Sequence, residues 1–418
     1  MARRLRFCMV TTFYPPFHFG GDALNVYRLS QALAERGHRV DVIHSIDAYR
    51  LHQAGEPEIP FEHHANVTVH PLATRPALAS ALAAHQLGRP ARYDRRLREL
   101  LEGGEHDVIH FHNISLIGGP KVLELGRAVK LYTAHEYWLV CPTHVLYAFD
   151  RQACTERRCL TCTVLHYHRP PQLWRRMGTL PRALRHVDRL IVPSRFALRK
   201  HRELGVDRPM VHLPFFVPQL PSDGGPDGDR HRIDLPARPF FLYVGRLERL
   251  KGVNDLLRLF VGYREADLVV AGAGEREAEL RAWGLANVHF VGQLHPDALG
   301  SLYDRAVALL VPSRCYEAFG LTLAESLTRG TPVIARRIGA LTEHVEQTGG
   351  GILFEDLEEC RRAMERLRLD PSLRATLGRR GRLAARSLWS QERHMREYLG
   401  LVEGLLERGS TPLTAAVG

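Results

Sequence analysis

The sequence predicts an α/β protein built from two doubly wound, parallel-sheet domains facing each other across a cleft. Three observations carry this. The 418 residues exceed what one hydrophobic core normally supports, so two domains of roughly 200 residues are expected. Short Val/Ile/Leu runs alternate with amphipathic stretches along almost the whole chain, the pattern of strands buried on both faces of a parallel sheet. One polar, Gly- and Pro-rich segment interrupts that alternation near the middle.

In chain order, strands are expected at 7–12, 39–44, 67–71, 107–112, 130–133, 189–193 and 210–216 in the first half. The second half adds 240–244, 267–271, 288–291, 308–311 and 332–335. Helical spacing lies between them, for example at 23–35 and 278–283. The domains then run 1–217, the first, acceptor-side half, and 238–387, the second, donor half, joined by a linker at 218–237. Residues 388–418 read as a terminal helix returning toward the first domain, with a frayed tail from 410. Repeated βα units of this kind place ligands at the carboxyl ends of the strands.

Composition narrows the function classes. Apolar content of 45% and charged content of 25% are those of an ordinary globular protein. No apolar run approaches the roughly 20 residues that span a bilayer. The start, Met1-Ala-Arg-Arg-Leu-Arg, mimics the basic region of a signal peptide. The apolar stretch after it is short and runs into Pro15-Pro16 and Gly20-Gly21, so it reads as the first buried strand of a cytoplasmic protein. The net charge of +11, mostly arginine, favours anionic partners, although a GC-rich coding sequence gives the same excess. No zinc-finger spacing or aromatic–basic interleaving points to nucleic acid.

Three Gly-containing loops carry the chemistry of the second half. In Val311-Pro-Ser-Arg-Cys-Tyr-Glu-Ala-Phe-Gly-Leu-Thr-Leu-Ala-Glu, a buried strand ends at Pro312, and a loop bearing Glu317 leads through Phe319 and Gly320 into a helix containing Glu325. The free N–H groups of Gly320, Leu321 and Thr322 at that helix start suit phosphate. Glu325 is placed to accept ribose hydroxyls, and Glu317 points at a sugar beyond the diphosphate. In Tyr243-Val-Gly-Arg-Leu-Glu-Arg-Leu-Lys-Gly, Gly245, Arg246 and Lys251 occupy the first βα loop, where two cations can neutralise a diphosphate leaving group. Gly272 and Gly274 form the third turn at the same edge. In the first half, Gly20-Gly21 opens a helix but lacks the G-x-G-x-x-G dinucleotide fingerprint. His110 reads as a packing residue at a strand end, whereas His112 and His135 are expected to face the cleft.

These motifs resemble family 4 glycosyltransferases, which have the GT-B fold of two Rossmann-like domains. Glu317-x7-Glu325, Gly-Arg246-Leu-x3-Lys251-Gly and Thr-Ala-His135 match that family's signature positions, and the likeness extends from Gly20-Gly21 to the returning terminal helix. The resemblance implies transfer of a sugar from a nucleoside diphosphate, UDP or GDP, with retention of anomeric configuration and without a catalytic metal. It implies that Arg246 and Lys251 stabilise the leaving diphosphate, Glu325 holds the ribose, and Glu317 and His135 contact the donor sugar. The acceptor, whether metabolite, glycan or lipid-linked sugar, stays open. A catalytically silent nucleotide-sugar-binding subunit and a GT-B epimerase are the rival readings.

Two features lie outside that pattern. Cys141, Cys154, Cys159 and Cys162 fall within 22 residues, spaced C-x12-C-x4-C-x2-C, in an insertion at 141–168. Thiolates so clustered suit a structural Zn2+ or an iron–sulfur cluster. The resemblance extends here to a subset of the family whose lead-in is similar to His135-Glu-Tyr-Trp-Leu-Val-Cys141-Pro, and the loop is expected to overhang the acceptor side of the cleft. From 169 to 208 there are eleven Lys or Arg against three acidic residues, interleaved with Leu173, Trp174, Met177, Leu180 and Leu184. The simpler reading is a helix packed on the first sheet. The other is a peripheral surface for anionic lipid at the inner membrane.

Overall fold

The computed structural model describes residues 3–53, 55–57, 60–75, 77–155, 158–218 and 235–410. Most of the linker expected at 218–237, and the tail beyond 410, lie outside the described residues.

The first sheet is built from β1 (Arg6–Val10), β2 (Arg39–Ser45), β3 (Val67–Leu72), β4 (Val108–Phe111) and β5 (Val129–Thr133). A small hairpin, β6 (Tyr147–Ala148) and β7 (Gln152–Ala153), interrupts it before β8 (Arg189–Val192) and β9 (Met210–His212). Its order is β3-β2-β1-β4-β5-β8-β9, with every pairing parallel. The second sheet comprises β10 (Phe240–Val244), β11 (Asp267–Ala271), β12 (Val288–Gly292), β13 (Leu309–Val311), β14 (Val333–Arg336) and β15 (Gly351–Phe354). It is also all parallel, ordered β12-β11-β10-β13-β14-β15.

All twelve strands expected from the apolar runs are present. The structure adds β15, whose short Gly-Ile-Leu-Phe run at a sheet edge gives little periodic signal, and the β6–β7 hairpin inside the insertion. The strand expected at 210–216 stops at His212; the chain then leaves the sheet and buries Phe215 and Phe216 instead.

Strand order reverses between β1 and β4 and again between β10 and β13. Loops after these strands diverge to opposite faces, which opens a crevice at each carboxyl edge. The terminal helix Gln391–Ser410 crosses back to the first sheet, where Met395, Tyr398 and Val402 are buried with Phe7 and Met9. Each sheet is covered by an apolar cluster on both faces, as a parallel sheet requires.

The glycine turn after β11 shows how closely the loops pack. Gly272 has φ +140°, and a Cβ there would overlap the carbonyl oxygen of Gly245 in the loop after β10. A Cβ on Gly274 would come within 2.6 Å of the Leu247 nitrogen. Gly272→Ala is therefore expected to destabilise the fold by about 3 kcal/mol. Denaturant unfolding measures this, and a loss within experimental error of zero would show that the two loops part freely.

Candidate active site

Lys251 ends the single 3₁₀ turn Arg249–Lys251 after β10. The next residue, Gly252, has φ +77°, and a Cβ on it would overlap the carbonyl oxygen of Pro312 at the end of β13. This backbone contact sets the two switch-point loops side by side. Lys251 Nζ then lies 2.6 Å from Glu317 Oε1, which also accepts a 2.8 Å hydrogen bond from Ser313 Oγ. Both side chains are about four-fifths buried. Burial alone would discharge each of them, but their mutual attraction wins: the Glu317 pKa falls and the Lys251 pKa rises. The pair is therefore charged on both sides.

Arg246 stands beside it, about half exposed, with Nη1 2.6 Å from Glu248 Oε1. Tyr243 donates its hydroxyl hydrogen to the Arg246 carbonyl at 2.8 Å and so fixes the loop. Gly245, extended at φ +158°, lies where β10 gives way to that loop.

The helix Leu321–Arg329 starts after Gly320, left-handed at φ +93°, and no side chain caps it. Its first N–H groups are thus available to an anion. Across the cleft, the helix Gly21–Glu35 also starts uncapped, after Gly20. A Cβ on Gly21 would sit 2.5 Å from Leu321 Cδ1, so the starts of the two helices lie close together. The missing side chain at Gly21 is what allows this approach.

Glu325 is buried and faces the first domain. Arg28 Nη2 donates to its Oε1 at 2.9 Å, and Tyr303 donates its hydroxyl hydrogen to Oε2 at 3.2 Å. Each carboxylate oxygen keeps lone pairs for further donors, as ribose hydroxyls would require. Arg28 was not foreseen: it lies 297 residues from its partner, about two turns into the helix that Gly20-Gly21 opens.

In the first domain the three histidines line up. Tyr398 OH meets His110 Nδ1 at 3.0 Å, and His110 Nε2 meets Thr133 Oγ1 at 2.8 Å, so His110 is a packing residue. His112 Nδ1 and His135 Nε2 are 2.9 Å apart. Their other nitrogens, His112 Nε2 and His135 Nδ1, are buried with no hydrogen-bond partner among the described residues. One neutral imidazole must donate to the other, which leaves one buried donor and one buried acceptor unused; His112, expected to face the cleft, is 1% exposed. Burial drives the His135 pKa down to about 4, although Asp22 and Glu136 pull the other way. Burial likewise holds His110 and His112 well below the usual imidazole value.

Several expected site residues are placed differently. The Phe319 side chain does not line the cleft. It is 2% exposed and packs among Phe215, His344 and Trp389, leaving only its backbone on the loop. Gly272 and Gly274 serve loop packing. Among the described residues no group of three or more His, Cys, Asp or Glu is placed to hold a metal ion. Cys141 and Cys154 pack against the first core, and Cys162 Sγ accepts the Phe149 N–H at 3.3 Å. The insertion also reaches further than its sequence suggests. Tyr147 packs with Leu250 and Cys315 of the second domain, and Asp150 pairs with Arg249 at 3.2 Å.

The matched families agree with this architecture. A model described as Glycosyltransferase Family 4 matches residues 19–218, and one described as Glycosyl transferases group 1 matches residues 229–384. The D-inositol 3-phosphate glycosyltransferase of Acidothermus cellulolyticus is 30% identical, covering 94% of this chain and 88% of its own. Sucrose-phosphate synthase from Thermosynechococcus elongatus superposes with a TM-score of 0.74 at 22% identity, covering 97% of this chain and all of that one. Anabaena HepE in complex with UDP-glucose gives 0.65 at 15% identity, covering 96% of this chain and all of that one. Fold and matches together define a glycosyltransferase with the GT-B fold. The chain belongs to glycosyltransferase family 4.

The buried histidines make stability depend on pH. Burial lowers the pKa of His135, His201 and His394 to about 4 and that of His344 to about 3. In the unfolded chain each titrates near 6.5. Above that value neither state binds the proton. As pH falls from about 6.5 toward 4, only the unfolded chain takes protons up, so stability declines by about 1.4 kcal/mol per pH unit for each histidine. Urea midpoints measured from pH 8 to pH 4 should be level at first and then fall; a flat profile would contradict neutral buried imidazoles.

Proposed function

We propose that this enzyme moves a sugar from a nucleoside diphosphate, with UDP or GDP as the base-bearing half, to an acceptor hydroxyl with retention of anomeric configuration. The observation that carries the reading is the charged Lys251–Glu317 pair at the carboxyl edge of β10 and β13, with Glu317 on the loop that leads into the uncapped helix Leu321–Arg329. Arg246, Lys251 and the uncapped N–H groups at Leu321 and Thr322 form a cationic, donor-rich pocket suited to a diphosphate whose charge grows as the glycosidic bond breaks. Glu325 accepts ribose hydroxyls alongside Arg28. His135 and His112, neutral across the working pH range, hydrogen-bond sugar hydroxyls without adding charge. The UDP-glucose in the HepE complex supports a uridine donor.

Retention is what the family resemblance implies, and it requires no nucleophilic role of Glu317. A carboxylate held by Lys251 and Ser313 is stabilised as an anion and is a poor nucleophile, so it orients the lysine and the sugar. Attack by the acceptor on the face the diphosphate leaves, with a leaving phosphate oxygen taking the proton, needs no enzymic nucleophile.

Lys251→Ala and Glu317→Ala are each expected to lower turnover about a hundredfold, on the order of 3 kcal/mol, with circular dichroism unchanged. A thermal-shift series of UDP-, GDP-, ADP- and TDP-sugars identifies the donor, and proton NMR of the product reads the anomer. Donor binding without turnover or donor hydrolysis would instead identify a silent nucleotide-sugar-binding subunit. An inverted product would rule out retention.

A further inference from the structure

The stretch from Arg158 to His186 holds six arginines and not one Asp or Glu, in a chain with 46 acidic residues. Part of it is ordinary core. Trp174, Leu180 and Leu184 are buried, so the short helix Thr179–Leu184 packs on the first domain as the simpler reading of the sequence expected. The remaining aliphatic side chains are not buried. Leu160, Val164 and Leu165, on the helical segment 159–166, face solvent, as do Leu173 and Met177 around the turn Leu173–Arg175. Leu165 and Met177 are 63% and 68% exposed.

These turns are tied to one another. The Arg169 N–H donates to the Thr163 carbonyl at 3.0 Å and ties the first turn to the chain leading into the second. Arg175 stacks over Trp174 and donates to the Trp138 carbonyl, anchoring the second turn. Trp174 Nε1 donates to the His85 carbonyl at 2.8 Å, which brings in a third turn, Ala83–Leu87, with Leu87 also exposed. Arg158, Arg169, Arg176, Arg182 and Arg185 are all exposed in the same stretch.

We propose that this arginine-rimmed apolar patch is where the enzyme docks on an anionic lipid surface. Clustered aliphatic side chains in water are costly, and a patch of them rimmed by one sign of charge marks an interaction site. A bilayer interface meets both demands, with phosphates for the guanidinium groups and acyl chains for Leu165, Leu173 and Met177. A second copy docked face to face would set arginine against arginine. Nucleic acid would satisfy the charge but leave the aliphatic side chains unburied. Among the described residues no helix is long and apolar enough to cross a membrane, so this contact would be interfacial.

The test is co-sedimentation of the full chain with phosphatidylcholine vesicles, with and without phosphatidylglycerol, at low and high salt. Binding at least about tenfold stronger to the anionic vesicles, and weakened by salt, is expected. The double variants Leu165→Glu/Met177→Glu and Arg169→Glu/Arg176→Glu should each reduce that binding about tenfold while keeping wild-type melting and turnover of soluble substrates. Should the glutamates disturb folding, Leu165→Ser/Met177→Ser gives the same readout. Equal binding to both vesicles, no binding, or full binding by folded variants would overturn the proposal. Retention by nucleic acid or an acidic protein without vesicle binding would overturn it equally. Because the readout is partition, its failure is distinct from failure of the donor chemistry.

Discussion

The contact between Gly252 and the Pro312 carbonyl governs the second domain's working edge. It brings the loops after two neighbouring strands to backbone contact, and Lys251 and Glu317 meet because of it. Either charge alone would be expensive at that depth; together they stay ionised, held further by Ser313. The site thus keeps a fixed cation beside a fixed anion, as the proposed transfer from a nucleoside diphosphate requires. Preorganisation of this kind removes the need for the protein to rearrange as charge develops.

A second set of contacts determines how the halves meet. Arg28 reaches from the first domain to Glu325 of the second. In the opposite direction, Glu343 accepts the Arg195 and Phe196 N–H groups at 2.9 and 2.7 Å, so a carboxylate of one domain caps a helix of the other. Ser194 Oγ donates to the Ala318 carbonyl at 2.7 Å, beside the Glu317 loop. Tyr137 OH donates to the Glu317 carbonyl itself at 3.3 Å. The loop that carries the key carboxylate is therefore held from across the cleft as well as from within its own domain. The cysteine-rich insertion adds contacts of its own to the second domain, Tyr147 with Leu250 and Cys315 and Asp150 with Arg249.

The aromatic side chains show how a motif residue can be functional in its backbone and structural in its ring. Phe319 sits inside the strand–Gly–helix element, yet its side chain joins Phe215, His344 and Trp389. His135 in turn stacks on Phe215 at 5.1 Å. The ring positions the histidine and the helix start without facing a ligand. The cysteines make the opposite point. Their spacing suits a metal, while their packing is with the protein: Cys141 lies in the first core and Cys154 packs against it.

What the sequence determined by itself was local and periodic. Buried parallel strands need continuous apolar runs, so twelve of them, the double winding and the βα loops bearing Arg246, Lys251, Glu317, Gly320 and Glu325 could all be read directly. The glycines before two helices, Gly20 and Gly320, made those helix starts legible too. Tertiary structure alone decided which side chains pair across the cleft. Arg28 with Glu325, Glu343 with the helix at Arg195 and the burial of Phe319 depend on how two domains pack, and no spacing along the chain encodes them. The same holds for the exposed aliphatic side chains of the insertion: periodicity cannot separate an apolar residue that faces a core from one that faces water, and only the packed structure shows which stayed outside.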